Sequence, residues 1–193
     1  MKIIISLSLS LLLVYSCKHS SEKKTGNTQI ATKEKPSFFP LTEYIKGQIR
    51  EITDRQVNPL EYVTVNDRTD SSWLKIEDLP QAFSDFLHPQ IDSVNMVTLF
   101  KESRFMDQTI NAFTFTYDPI AALPDSMALQ HWDVYIDPAS GKVRRVYMVK
   151  SAGEGMTKQL TWQGDKWCRI VDIVNKQDGT SVIEKEVKIT WEF

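Results

Sequence analysis

The chemistry-bearing residues of this chain gather most densely in the run His131-Trp132-Asp133-Val134-Tyr135-Ile136-Asp137. As a strand, this run puts His131, Asp133, Tyr135 and Asp137 on one face and Trp132, Val134 and Ile136 on the other, because successive side chains point to opposite sides. An imidazole beside two carboxylates and a phenol is the equipment of general acid–base chemistry. Alternation alone gives any outward strand face this look, however. The expectation for these four residues is therefore a solvated face, with an interaction surface as the functional reading. Glu102, Arg104 and Asp107 read as a turn with local ion pairs.

Other chemistry is sparse. None of the three histidines, His19, His88 and His131, has a second ligand at zinc spacing, so no metal is expected. The few glycines fall at turns and form no phosphate loop, and Ser140-Gly141 belongs to a hairpin turn, with no G-x-S-x-G elbow in the chain. Cys168 lies between Trp167 and Ile170 in an apolar strand pattern, which predicts a buried thiol without the base a nucleophile needs. No catalytic residue and no cofactor is expected.

The second cysteine, Cys17, is a different matter. Lys2 is followed by an apolar run from Ile3 to Val14 broken only by serines, about the length of a signal h-region and too short for the ~20 residues that span a bilayer. Val14-Tyr15-Ser16-Cys17 resembles a lipobox, in which cleavage between Ser16 and Cys17 frees the cysteine to take lipid. Residues 1–16 are expected to be a signal peptide and 17–37 a lipidated leash. That stretch is too poor in apolar residues to offset its ordering entropy. Lys18 stands where aspartate marks inner-membrane retention in enteric bacteria, which favours the outer membrane.

The leash holds five Lys against two Glu, a net charge of +3, while residues 38–193 carry a net of −6. A basic tether suits an anionic lipid surface within about a Debye length. An acidic domain without a long basic run argues against nucleic acid as a partner. The local cluster Lys142, Arg144, Arg145 and Lys150 reads as a solvated strand edge. Residues 38–193 suffice for a single domain with a real core.

The elements that must position these residues can be read from period. Leu41, Tyr44, Ile45, Ile49 and Ile52 recur at helical spacing and predict a helix over 40–54, entered at Pro40. A strand is expected at 61–65, and a second helix at 77–87, closed by Pro89. From Gln90 onward the period becomes two. Phe113, Phe115 and Tyr117 share a face; Asp137 to Gly141 turns the chain into a return strand over 143–149. Further strands lie around Leu160 and Trp162, from Lys166 to Val174, and from Ile183 to the terminus, with Ile183, Val187, Ile189, Trp191 and Phe193 facing inward. Short turns mean antiparallel pairing. The predicted fold class is α+β, an antiparallel meander of about six or seven strands with one or two N-terminal helices packed on one face.

Several stretches carry a resemblance. They are Asp70-Ser71-Ser72, Phe105-Met106-Asp107-Gln108, Thr114-Phe115-Thr116-Tyr117, Asp133-Val134-Tyr135-Ile136-Asp137-Pro138, Lys142-Val143, Val146-Tyr147, Leu160-x-Trp162 and Trp191. Over roughly 70–193 the chain resembles a family of small, uncharacterised exported lipoproteins of Bacteroidetes-type bacteria. The resemblance implies a lineage and supplies no site residues.

The function expected from these features is a membrane-tethered, non-catalytic binding or protein-interaction module of the cell envelope. The alternatives are a carrier or sensor of an apolar ligand held between sheet and helices, and an enzyme of unrecognised type. The aromatic residues are numerous enough for most to fill a core and the remainder to line a groove.

Overall fold

The computed structural model describes residues 37–191. The expectations for Ser16, Cys17, His19 and Phe193, and for the leash before Ser37, lie outside the described residues. No helix among the described residues is long and apolar enough to cross a membrane.

The chain enters through Phe38, whose buried ring sits 5.0 Å from Tyr117 and 6.2 Å from Trp132. Helix α1 (Leu41–Asp54) follows, with Leu41, Ile45 and Ile52 buried at the spacing that marks one face. Strands β1 (Leu60–Val65) and β2 (Arg68–Trp73) form a hairpin. The predicted second helix is broken into a 3-10 turn (Ile76–Asp78), α2 (Leu79–Ala82) and α3 (Ser84–Leu87). The break falls at Phe83, whose φ of −99° and ψ of 7° leave the helical region. Phe83 and Phe86 are both fully buried across it.

The remaining strands are β3 (Phe100–Asp107), β4 (Ala112–Pro119), β5 (Leu129–Ile136), β6 (Val143–Ser151), β7 (Met156–Gln163), β8 (Trp167–Asn175) and β9 (Ser181–Thr190). All nine strands among the described residues join one antiparallel sheet in the order β2-β1-β9-β8-β7-β6-β5-β4-β3. From β3 to β9 this is an uninterrupted meander, and β1 then pairs on β9. The fold is α+β, mostly antiparallel sheet with a few short helices. The predicted count of six or seven strands is corrected to nine. The two strands without a sequence prediction, β2 and β3, are the two sheet edges. Residues Glu102, Arg104 and Asp107, expected in a turn, belong to β3.

Register fixes the two faces. Tyr117 pairs with Trp132, Trp132 with Met148, Met148 with Leu160 and Leu160 with Ile170, all on one side. These residues join a single buried cluster with Leu41, Ile45, Phe83 and Phe86. Its heart is aromatic. Phe83 lies 5.1 Å from Trp162 and 5.7 Å from Trp191, and Tyr117 stacks on Trp132 at 4.4 Å. Offset and edge-on ring pairs add ~0.5–1.5 kcal/mol each beyond the area they bury. Among the described residues, the indole N–H groups of Trp132, Trp162 and Trp191 have no hydrogen-bond partner, a desolvation cost set against that gain.

Candidate functional site

The opposite face of the sheet should be solvated and is not wholly so. Asp133 projects from it yet is only 8% exposed. A carboxylate so placed must be hydrogen-bonded to remain charged. Its Oδ1 accepts from Thr116 Oγ1 at 2.7 Å across the β4–β5 pair, and its Oδ2 accepts from Tyr135 OH at 3.2 Å. His131 completes the set, with Nε2 at 3.1 Å from Asp133 Oδ2 and Nδ1 at 2.9 Å from Asp118 Oδ1. An imidazole with a carboxylate oxygen at each nitrogen donates to both only as the imidazolium.

The titration behaviour follows from this geometry. The hydrogen bond to Asp133 raises the His131 pKa, outweighing the burial that lowers it, and Asp118 adds to the rise. For Asp133, burial would push the carboxyl up. The hydrogen bonds from His131, Thr116 and Tyr135 outweigh it and hold the group below its ordinary value. Burial, then the nearby Asp133 charge, push the Tyr135 phenol up to about 12.

This network forms one wall of a cleft of about 450 Å³ lined by Asp133, Tyr135, Arg145, Tyr147, Thr161, Trp167 and Arg169. The lining comes from four neighbouring strands in register: Asp133 opposes Tyr147, Tyr147 opposes Thr161, and Thr161 opposes Arg169. Arg145 sits with its guanidinium 5.9 Å from the Tyr135 ring and donates from Nε to Gln163 Oε1 at 3.2 Å. Trp167 has Lys188 Nζ 5.8 Å from its ring centroid.

Of the four residues expected on this face, three come together and one does not. Asp137 lies in the β5–β6 turn, where its Oδ1 accepts from Ala139 N, Ser140 N and Ser140 Oγ. Those bonds hold its carboxyl low and shape a turn that passes through Gly141 at φ 69°, a conformation glycine adopts without strain. Asp137 is a turn-former.

The basic cluster is also redistributed. Strand β6 lies mid-sheet between β5 and β7, so the predicted solvated edge is not there. Arg145 lines the cleft, while Lys150 is 6% exposed with Nζ donating to the carbonyls of Asp85, within α3, and His88, just after it. Burial lowers the Lys150 pKa to about 8, opposed by Asp85 and aided by Lys158. Cys168 is buried and free, and burial raises its thiol well above the ordinary value.

The residues that single-strand reading missed are Thr116, Asp118, Arg145, Tyr147, Thr161, Trp167 and Arg169. The signal was present strand by strand, since Arg145 and Tyr147 alternate with Val146 and Met148 as Arg169 alternates with Cys168 and Ile170. What was missing was the register that sets these alternations side by side.

Chemically, the site offers a fixed histidine–carboxylate pair, two arginines and three rings. Its imidazole is held between two carboxylates and its central carboxylate has both oxygens occupied, so the arrangement suits recognition better than proton abstraction. Among the described residues, no group of three His, Cys, Asp or Glu is placed to hold a metal ion. Comparison with known proteins finds no matching family model, no matching curated protein and no matching solved structure.

Proposed function

We propose that the chain is a lipid-anchored envelope protein that acts as a non-catalytic binding module, and that it binds through the outer face of its sheet. One observation carries the site: Asp133, on a face that alternation assigns to solvent, is buried and served by three donors beside a cleft. A surface that organises a buried, fully paired charge holds its neighbouring side chains in fixed positions, which recognition requires. The anchor rests on the lipobox-like Val14 to Cys17 and the membrane address it implies, with the outer membrane favoured and a component of the envelope as the expected partner. In this reading the helices cover the other face of the meander, as the contacts of Phe83 and Phe86 with Trp162 support.

The apolar-carrier alternative draws less support, because those phenylalanines and Trp162 occupy the space between sheet and helices in which a ligand would sit. The test is site-directed photo-crosslinking in the native host. A benzophenone amino acid at Tyr147 is expected to give a discrete adduct that disappears when Arg145→Glu and Arg169→Glu are added. The same probe at Glu184 is expected to give none. Equal adducts at both positions would remove the outer face from the account.

A further inference from the structure

The cleft beside Asp133 holds more positive charge than its own residues neutralise. Asp133 has both oxygens occupied by Thr116, His131 and Tyr135. Arg145 reaches only the neutral Gln163 and the Tyr135 ring, with no carboxylate at ion-pair distance among the described residues. Arg169 meets Glu186 at 3.9 Å, the far limit of an ion pair, with its side chain 46% exposed. Two guanidinium forks thus line one cleft with their preferred partner, a planar carboxylate, largely missing.

The rest of the lining is hydroxyl and ring: Tyr147, Thr161 and Trp167 beside Tyr135. The cleft is open on its outer side and has a volume of about 450 Å³. Every strand from β5 to β8 is paired on both sides, so no free strand edge is offered there to a peptide backbone. A sugar needs no such edge. Its hydroxyls match phenol and threonine hydroxyls, and the C–H face of its ring matches an aromatic plane.

We propose that this cleft binds an acidic sugar, a pyranose carrying a carboxylate, with Arg145 and Arg169 on the carboxylate and Tyr147 and Trp167 against the ring. The assignment rests on the binding-module reading above and names its ligand. The carboxylate sugar is either free or the end of a longer glycan.

Isothermal titration of the purified full chain tests it, with D-glucuronate, D-galacturonate, trigalacturonate, D-glucose, methyl glucuronate ester and an aspartate-rich hexapeptide as probes. A uronate is expected to bind saturably and at least tenfold more tightly than glucose or the methyl ester. Arg145→Gln and Arg169→Gln are each expected to weaken it at least tenfold, with Arg145→Lys falling between. Trigalacturonate binding more tightly than the monosaccharide identifies a glycan end as the source; equal binding identifies the free sugar. Both arginines are exposed, and near-ultraviolet circular dichroism confirms that the variants keep the aromatic core. Equal affinity for glucose and glucuronate overturns the proposal. So does arginine-dependent binding of the peptide without any uronate binding, an outcome that leaves the binding-module reading standing. If no probe binds and the Tyr147 crosslink survives both arginine reversals, both readings fall.

Discussion

His131 and Asp133, two positions apart on the outward face of β5, hold each other at 3.1 Å between Nε2 and Oδ2. The contact turns an ordinary alternation of polar side chains into a directed arrangement. Through Thr116 and Asp118 it also fastens β5 to β4 on the side away from the core.

That pairing has a pH signature. The folded-state pKa of His131 is raised above 6.5, so the folded protein binds this proton more tightly than the unfolded chain does. Its contribution to stability is complete below about pH 6.5 and is lost as pH rises through the folded pKa. Asp133 is depressed, so its contribution is present above about pH 3.9 and is lost as pH falls through the folded value. The pair therefore contributes fully between about pH 4 and 6.5. NMR titration of His131 should show a pKa above 6.5 that drops in Asp133→Asn. An unchanged value in that variant would place the cause elsewhere.

Trp191→Ala should destabilise the fold by about 3–5 kcal/mol. Its side chain is buried and meets Phe83 and Trp162, so its removal takes ring contacts out of the core. Trp73, 69% exposed on edge strand β2, provides the control, and Trp73→Ala should change stability by no more than about 0.5 kcal/mol. Chemical denaturation measures both. Comparable losses would mean that the aromatic cluster is not the centre of the core.

Lys150 gives a second, opposite pH dependence. Its folded-state pKa of about 8 lies below the ~10.4 of an unfolded lysine, so between those values only the unfolded chain holds the proton. Stability should rise with pH across that interval in the wild type relative to Lys150→Met, in which the titrating group is absent. A difference that stays flat from pH 8 to 10 would show that the amine reaches solvent.

The elements legible in the sequence were those with one wet and one dry side. Helix α1, strands β4 to β8 and the second half of β9 carry an apolar period that a single core imposes; Ile183, expected to face inward, is instead 59% exposed, because the first half of β9 runs out past the core. Strands β2 and β3 escaped for a physical reason. An edge strand loses one neighbour, and β2, Arg68 to Trp73, is exposed at every position, leaving no alternation to read. The site was half legible for a related reason. His131, Asp133 and Tyr135 lie on one strand, whose period brings them together. Arg145, Thr161 and Arg169 come from three others and meet only through register, which no single strand encodes. Asp137 shows the reverse error, since the period carried past Ile136, where the strand had already ended in a turn.

The proposed lipid anchor has its own test. Cys17→Ser should abolish incorporation of labelled fatty acid and leave soluble or uncleaved protein, because that thiol is the one the proposed lipobox, Val14 to Cys17, would present. A variant that still takes up label and partitions into detergent would remove the anchor from the account.

The most direct test of the outer face as the recognition surface is hydrogen–deuterium exchange, comparing the full chain on envelope membranes of its host with the purified chain. Protection gained on the membranes is expected in β5 to β8 around His131, Asp133, Tyr147, Thr161 and Arg169, and should vanish in the Arg145→Glu, Arg169→Glu variant. Protection confined to the sheet edges β2 and β3, unchanged in that variant, would contradict the account.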